Sequence, residues 1–140
     1  MGPFVYPVAV NLDIFMESCT EFIQRKNKQF SQGNLIAMKD VGRKGKHFFK
    51  REAWTFMPQG NIDKKVFIFE RLRAVKIEGE VAYRNTTTED VEYRIGYYIV
   101  GQIGRKKDVW TWGQFCPMIP KDDFEKLINK AREDGVILNT

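Results

Sequence analysis

The chain has 140 residues, 43% of them hydrophobic, with 23 basic against 18 acidic side chains and a formal net charge of +5. This is the size of one domain, and the expectation is a single globular unit over residues 1 to 140 with one packed core. No apolar run reaches the ~20 residues that cross a bilayer, and the N-terminal Met-Gly-Pro-Phe-Val-Tyr-Pro has neither a basic n-region nor a Ser or Thr at Tyr6 for myristoylation, so a cytoplasmic protein without membrane association is expected.

In chain order, the apolar stretch Phe4 to Val10, flanked and interrupted by Pro3 and Pro7, suits only a sheet edge or an extended entry segment. Leu12, Phe15, Met16, Cys19, Phe22 and Ile23 then recur at three- and four-residue spacing. With Asn11 as N-cap, Asp13 and Glu17 early, Arg25, Lys26 and Lys28 late and Gly33 beyond, they predict an amphipathic helix from about Leu12 to about Phe30. Strand-type runs follow at Leu35 to Val41, His47 to Met57, Lys65 to Ile77, Glu80 to Arg84, Val91 to Ile103 and Val109 to Cys116. They are separated by the turn-rich breaks 42–46, 58–64 and 85–90. Phe124, Leu127, Ile128 and Ala131 mark a closing helix that begins near Pro120 and ends at Gly135. The fold class expected is α+β: a bent antiparallel meander of about six strands packed against an N-terminal amphipathic helix and a C-terminal helix.

The most regular pattern lies in Val91 to Ile103. Val91, Tyr93, Ile95, Tyr97, Ile99 and Ile103 share one face, and Glu92, Arg94, Tyr98 and Gln102 share the other, the two-residue period of a half-buried strand. Lys65 to Arg84 poses a length problem, since one strand of that span would run about 65 Å at ~3.3 Å per residue. A break near Glu78-Gly79 is the natural solution. Strand parity then puts the tips 42–46 and 104–108 at one end, where Arg43, Lys44, Lys46, Arg105, Lys106 and Lys107 form a basic rim extended by Lys50 and Arg51. Without it the two basic tips separate.

Catalytic constellations are sparse. There is one histidine, His47, placed in a basic run and read as a surface group, and there is no Gly-x-Ser-x-Gly. Cys19 and Cys116 lie in apolar surroundings with no metal-ligand spacing, so no metal and no cofactor are expected. Glu70, Glu78 and Glu80 read as solvated cross-strand partners of Arg71, Arg73 and Lys76. The segments Gly42–Gly45 and Gly101–Gly104 meet a GxxG spacing, but among strands rather than between helices.

Interleaving of bases with aromatics remains. Arg51 leads to Trp54, and Arg94, Tyr98, Trp110 and Trp112 lie on neighbouring strands, which supplies charge for phosphate and ring faces for stacking. The leading expectation is therefore a non-enzymatic binding module. It engages an anionic partner, nucleic acid foremost, through the basic rim and the aromatics Trp54, Tyr98, Trp110 and Trp112. The alternative is a helix-grip-like or half-barrel domain holding a small apolar, amphipathic or anionic ligand between sheet and helix, with Trp54, Tyr97, Ile99, Trp112, Phe124 and Ile128 around it. A third is a protein-interaction subunit without ligand, with a homodimer through the Trp110 and Trp112 face.

Overall fold

In the computed structural model, which describes residues 16–39, 44–79 and 88–138, the first described helix, α1, is Cys19–Phe30. Ser18 starts it through a capping box: the Glu21 N–H donates to Ser18 Oγ at 3.1 Å, and the Ser18 N–H donates to Glu21 Oε1 at 3.0 Å. Extended backbone at Ser18 (ψ 169°) stops propagation toward the N-terminus, so residues 16–18 are not helical and the start expected near Leu12 is corrected to Cys19. The Asn11 cap, residues 12–15 and the run Phe4 to Val10 lie outside the described residues.

Five antiparallel strands follow as a simple meander in the order β1 to β5. They are β1 Leu35–Lys39, β2 Lys46–Pro58, β3 Lys65–Glu78, β4 Val91–Val100 and β5 Trp110–Trp112. Helix α2, Lys121–Glu133, closes the chain with Pro120 at its N-cap. The class is the expected α+β, with the sheet curled into a half-barrel. Register shifts between Phe48 and Phe49 and between Arg51 and Ala53 interrupt the β2–β3 ladder, and such bulges bend a sheet.

Two strands are shorter than expected. β4 ends at Val100, not Ile103, because Gly101 turns the chain: its N–H donates to Val109 O and its own carbonyl accepts from the Asp108 N–H. β5 stops at Trp112, not Cys116, after which the Gly113 N–H donates to Tyr97 O and the chain leaves for α2. The strand expected at Glu80 to Arg84 falls outside the described residues. β3 does end at Glu78, where Gly79 adopts φ +75°, yet β4 pairs directly with β3, Arg73 opposite Val91 and Lys65 opposite Ile99. The parity behind the basic rim is thereby overturned.

Alternation along β3 assigns the two faces. Val66 and Ile68 pack with Phe22 and Phe30 of α1, Phe56 and Tyr98. Phe67 and Phe69 pack with Leu127 and Ala131 of α2 and with Val136. Successive side chains leave a strand on opposite faces, so α1 covers the first face and α2 the second. Lys65 to Glu70 is buried at every position, as expected of a strand covered on both sides. Full burial of Phe22 and Leu127 contributes on the order of 1.5–3 kcal/mol each.

The second face is also tied by polar contacts. Arg71 Nε (2.7 Å) and Arg73 Nε (2.8 Å) donate to Glu52, whose carboxyl these guanidiniums, Arg73 first, hold below the usual carboxylate range. Arg71 also donates to the carbonyls of Gly135 and Val136 just past α2, fixing the end of that helix to the sheet. Because the helices lie on opposite faces, the expected pocket around Trp54, Trp112, Tyr97 and Ile128 is not assembled: the first two belong to the α1 side and the last two to the α2 side. Phe124, placed there too, is 48% exposed.

Candidate functional site

Glu70 sits midway along β3 on the first face and is fully buried. Arg94 is directly opposite on β4 and donates through Nε at 2.7 Å and Nη2 at 3.2 Å. From β2, Arg51 Nε donates at 2.6 Å to Oε2, the oxygen that also accepts from Arg94 Nη2. Strict alternation would put Arg51 and Trp54 on different faces. The bulge at Glu52 adds one residue, so Arg51 reaches Glu70 while Trp54 packs in the first-face core.

Each guanidinium also lies on a ring. Arg51 Cζ is 3.6 Å from the Phe30 ring centroid and Arg94 Cζ is 4.8 Å from that of Trp112. Stacking and the bond to Glu70 together fix the Arg51 plane, and its Nη atoms have no hydrogen-bond partner among the described residues. Trp112 in turn lies over Gly96, where no side chain larger than hydrogen fits beneath it.

A third cation joins from α1. Lys26 Nζ is 5.8 Å from the ring centroids of both Phe22 and Phe30 and 5.1 Å from that of Tyr98. It has no ion pair among the described residues, unlike its neighbour Arg25, which makes a two-bond pair with Glu17 at 2.6 and 2.8 Å. Burial first, then the like charges of Arg25 and Arg51, push the Lys26 ammonium below the usual lysine range, with Glu17 opposing. Burial, reinforced by Glu70, pushes the Tyr98 phenol up, so it is neutral at pH 7.

Lys26, Arg51, Phe30 and Tyr98 border an open cleft of about 330 Å³ between the C-terminal half of α1, the start of β1 and the sheet. Lys26, Arg51, Gln29 and Asn34 bring polar atoms to it. Phe30, Tyr98, Leu35 and Ile36 form its apolar walls. The described charges are three cations, Lys26, Arg51 and Arg94, against one carboxylate, Glu70, with Arg25 and Glu17 neutralising each other. A partly dehydrated surplus of positive charge beside amide donors can hold an anionic group.

The residues expected to bind an anionic partner are dispersed. Arg43 lies outside the described residues. Lys44 and Lys46 are exposed at the β1–β2 end of the sheet, with Lys50 exposed further along β2. Arg105, Lys106 and Lys107 are exposed in a 3-10 turn after Val100, at the opposite end, so no common rim forms. Among the described members of that set, only Arg51 lines the cleft. Of the aromatics, Tyr98 lines it as well. Trp54 donates Nε1–H to Asn27 Oδ1 at 2.8 Å and packs edge-on to Phe30. Trp110 stacks on Phe22 at 4.3 Å and donates to Glu17 O. Trp112, partly exposed, is engaged by Arg94 and Tyr98. The four rings therefore do not form an open stacking platform.

Sequence reasoning missed Lys26, Gln29, Phe30, Asn34 and Glu70 as site residues. Glu70 is the correction with most consequence: the side chain read as solvated is buried between two arginines. A signal existed, a lone acid ending the apolar run Val66 to Phe69 with arginines on both flanking strands. Glu78 does pair in the open, at 3.0 Å from Lys76, but that lysine is two residues back on the same strand and not across the sheet as expected. His47 is buried, not a surface group, and Cys116 is exposed while Cys19 packs on the first-face core. Among the described residues no three His, Cys, Asp or Glu side chains are grouped to hold a metal, and no helix is long and apolar enough to cross a membrane. Comparison with family models, curated proteins and solved structures finds no match to this chain.

Proposed function

We propose that this chain is a binding module that engages an anionic partner in the cleft between α1 and the sheet. The observation that carries the reading is the arrangement of Lys26 and Arg51. Both border one open cleft, Arg51 is held by a buried carboxylate and by Phe30, and Lys26 is boxed by three rings with no ion pair among the described residues. A cation that has lost part of its hydration without gaining a carboxylate is stabilised by any anion that enters. The reading joins the charge selection of the leading expectation to the sheet-and-helix location of its alternative. A nucleic-acid strand would enter by a phosphate, a small ligand by its phosphate or carboxylate.

Titration of the amide spectrum at low ionic strength with inorganic phosphate, citrate and a mixed single-stranded oligonucleotide tests the reading. Saturable shifts centred on Lys26, Gln29, Asn34 and Arg51, weakened by salt and by Lys26→Met, are expected. Lys26→Met keeps the stem packed on the rings while removing the charge, so its fold is preserved. Absence of saturable shifts with all three anions overturns the proposal.

A further inference from the structure

Resting on that reading of the cleft, we infer that its preferred ligand group is a doubly charged phosphate monoester, in preference to a singly charged carboxylate, sulfate ester or internal phosphodiester.

The inference comes from the charge balance of the site. Around Glu70 two guanidiniums share one carboxylate, which leaves one positive charge, and Lys26 adds a second. A monoanion neutralises half of this surplus and a dianion all of it. Glu70 is fully buried and accepts from both sides, so it does not face an incoming anion, and the other carboxylate near Lys26 among the described residues, Glu17, is committed to Arg25. The donor geometry agrees. The Arg51 fork has its Nε bound and its Nη pair unclaimed among the described residues, Lys26 supplies a point charge, and Gln29 and Asn34 supply amides. Several donors around one cleft suit a tetrahedral group with three terminal oxygens better than a planar one with two. A cleft of about 330 Å³ leaves space beyond the phosphate for an organic body against Leu35 and Ile36. The ring faces of Phe30 and Tyr98 are already occupied by Arg51 and Lys26, so the body is held by its edge and not by base stacking.

Titration supplies a second signature. The groups acting on Lys26 are Arg25 and Glu17 beside it and Arg51 from β2, with the Tyr98 ring of β4 at 5.1 Å and the Glu70–Arg94 pair on the same sheet face. The burial and like charge that lower the Lys26 proton affinity are opposed by a bound dianion, so ligand and proton bind Lys26 cooperatively. Affinity falls as pH drops through about 6, where the monoester takes up its second proton. It falls again in alkali as Lys26 loses its charge, earlier than for an ordinary lysine.

Phenyl phosphate and phenyl sulfate, alike in shape and different by one charge, provide the test by calorimetry on the intact chain. At pH 7.5 phenyl phosphate is expected to bind about tenfold tighter or more, with the gap closing near pH 5. Lys26→Met is expected to remove most of that preference while leaving residual binding of both esters, an effect a purely structural lysine would not produce. Equal affinity for the two esters at pH 7.5 overturns the dianion inference and leaves the anion-binding reading standing, whereas binding of neither, nor of citrate, overturns both. Oligonucleotides with 5′-phosphate and 5′-hydroxyl ends distinguish the source: a preference for the phosphorylated end identifies a nucleic-acid terminus, and binding of phenyl phosphate alone identifies a small phosphate ester. Either of these supports the inference.

Discussion

Glu70 has two acceptor oxygens and no exposed surface, so every hydrogen bond it makes must come from the protein, and Arg51 and Arg94 supply them from the strands on either side. Removing the charge but not the volume isolates this arrangement. Glu70→Gln leaves two guanidiniums facing an amide that can accept from them only through one oxygen. The loss expected is about 3–5 kcal/mol, the range for breaking one member of a buried ionic group. A lower urea midpoint at unchanged slope would report it, and an unchanged midpoint would show that the carboxylate does not tie the strands. Lys26 behaves oppositely. Its charge is held by rings alone, so Lys26→Met is expected to stay within about 1 kcal/mol of the parent by the same measurement. Stability and ligand affinity thus reside in different residues of one site.

At the scale of elements, Gly96 and Gly101 bracket the part of β4 that carries Tyr98, and each permits a close approach of a different kind. Trp112 lies on Gly96 by its ring, whereas at Gly101 the neighbour is the main-chain carbonyl of Lys106. A ring on a short edge strand can swing toward solvent; a turn carbonyl cannot move without the turn. Gly96→Ala is therefore expected to shift Trp112 emission and near-UV dichroism with a cost of about 1 kcal/mol or less, and Gly101→Ala to cost about 2 kcal/mol or more. Equal costs, or an unmoved Trp112 signal in Gly96→Ala, would contradict this. The same strand shows what was legible in the sequence. Its alternation separated Tyr93, Ile95 and Tyr97 from Arg94 and Tyr98 correctly, yet Tyr98 is 8% exposed and Tyr93 is 44% exposed. Periodicity reports that two faces differ; it carries no sign for burial when helices cover both. The Arg51 and Trp54 pairing was illegible for a related reason, because a bulge adds a residue to the count without leaving a mark in composition.

Across the whole molecule, the question is whether a formal charge of +5 acts as one field or as separate patches. The α+β class and the presence of two helices follow from periodicity and turn residues. The basic rim depended instead on the parity of strands, which no local pattern encodes. With β3 paired directly to β4, the Arg105 to Lys107 turn follows Val100, six residues along β4 from Arg94, or about 20 Å at ~3.3 Å per residue. That distance exceeds twice the Debye length of about 8 Å at 0.15 M salt and falls inside the ~30 Å length at 0.01 M. Replacing Arg105, Lys106 and Lys107 together by Ala is therefore expected to leave phenyl phosphate affinity within about twofold at 0.15 M salt, and to weaken it several-fold near 0.01 M, where the turn still contributes to the potential at the cleft. Folding stability should not change measurably, since these side chains are exposed and, among the described residues, make no ion pair. A large loss of affinity already at 0.15 M would locate the anion at the turn and away from Arg51, because only direct contact survives that screening.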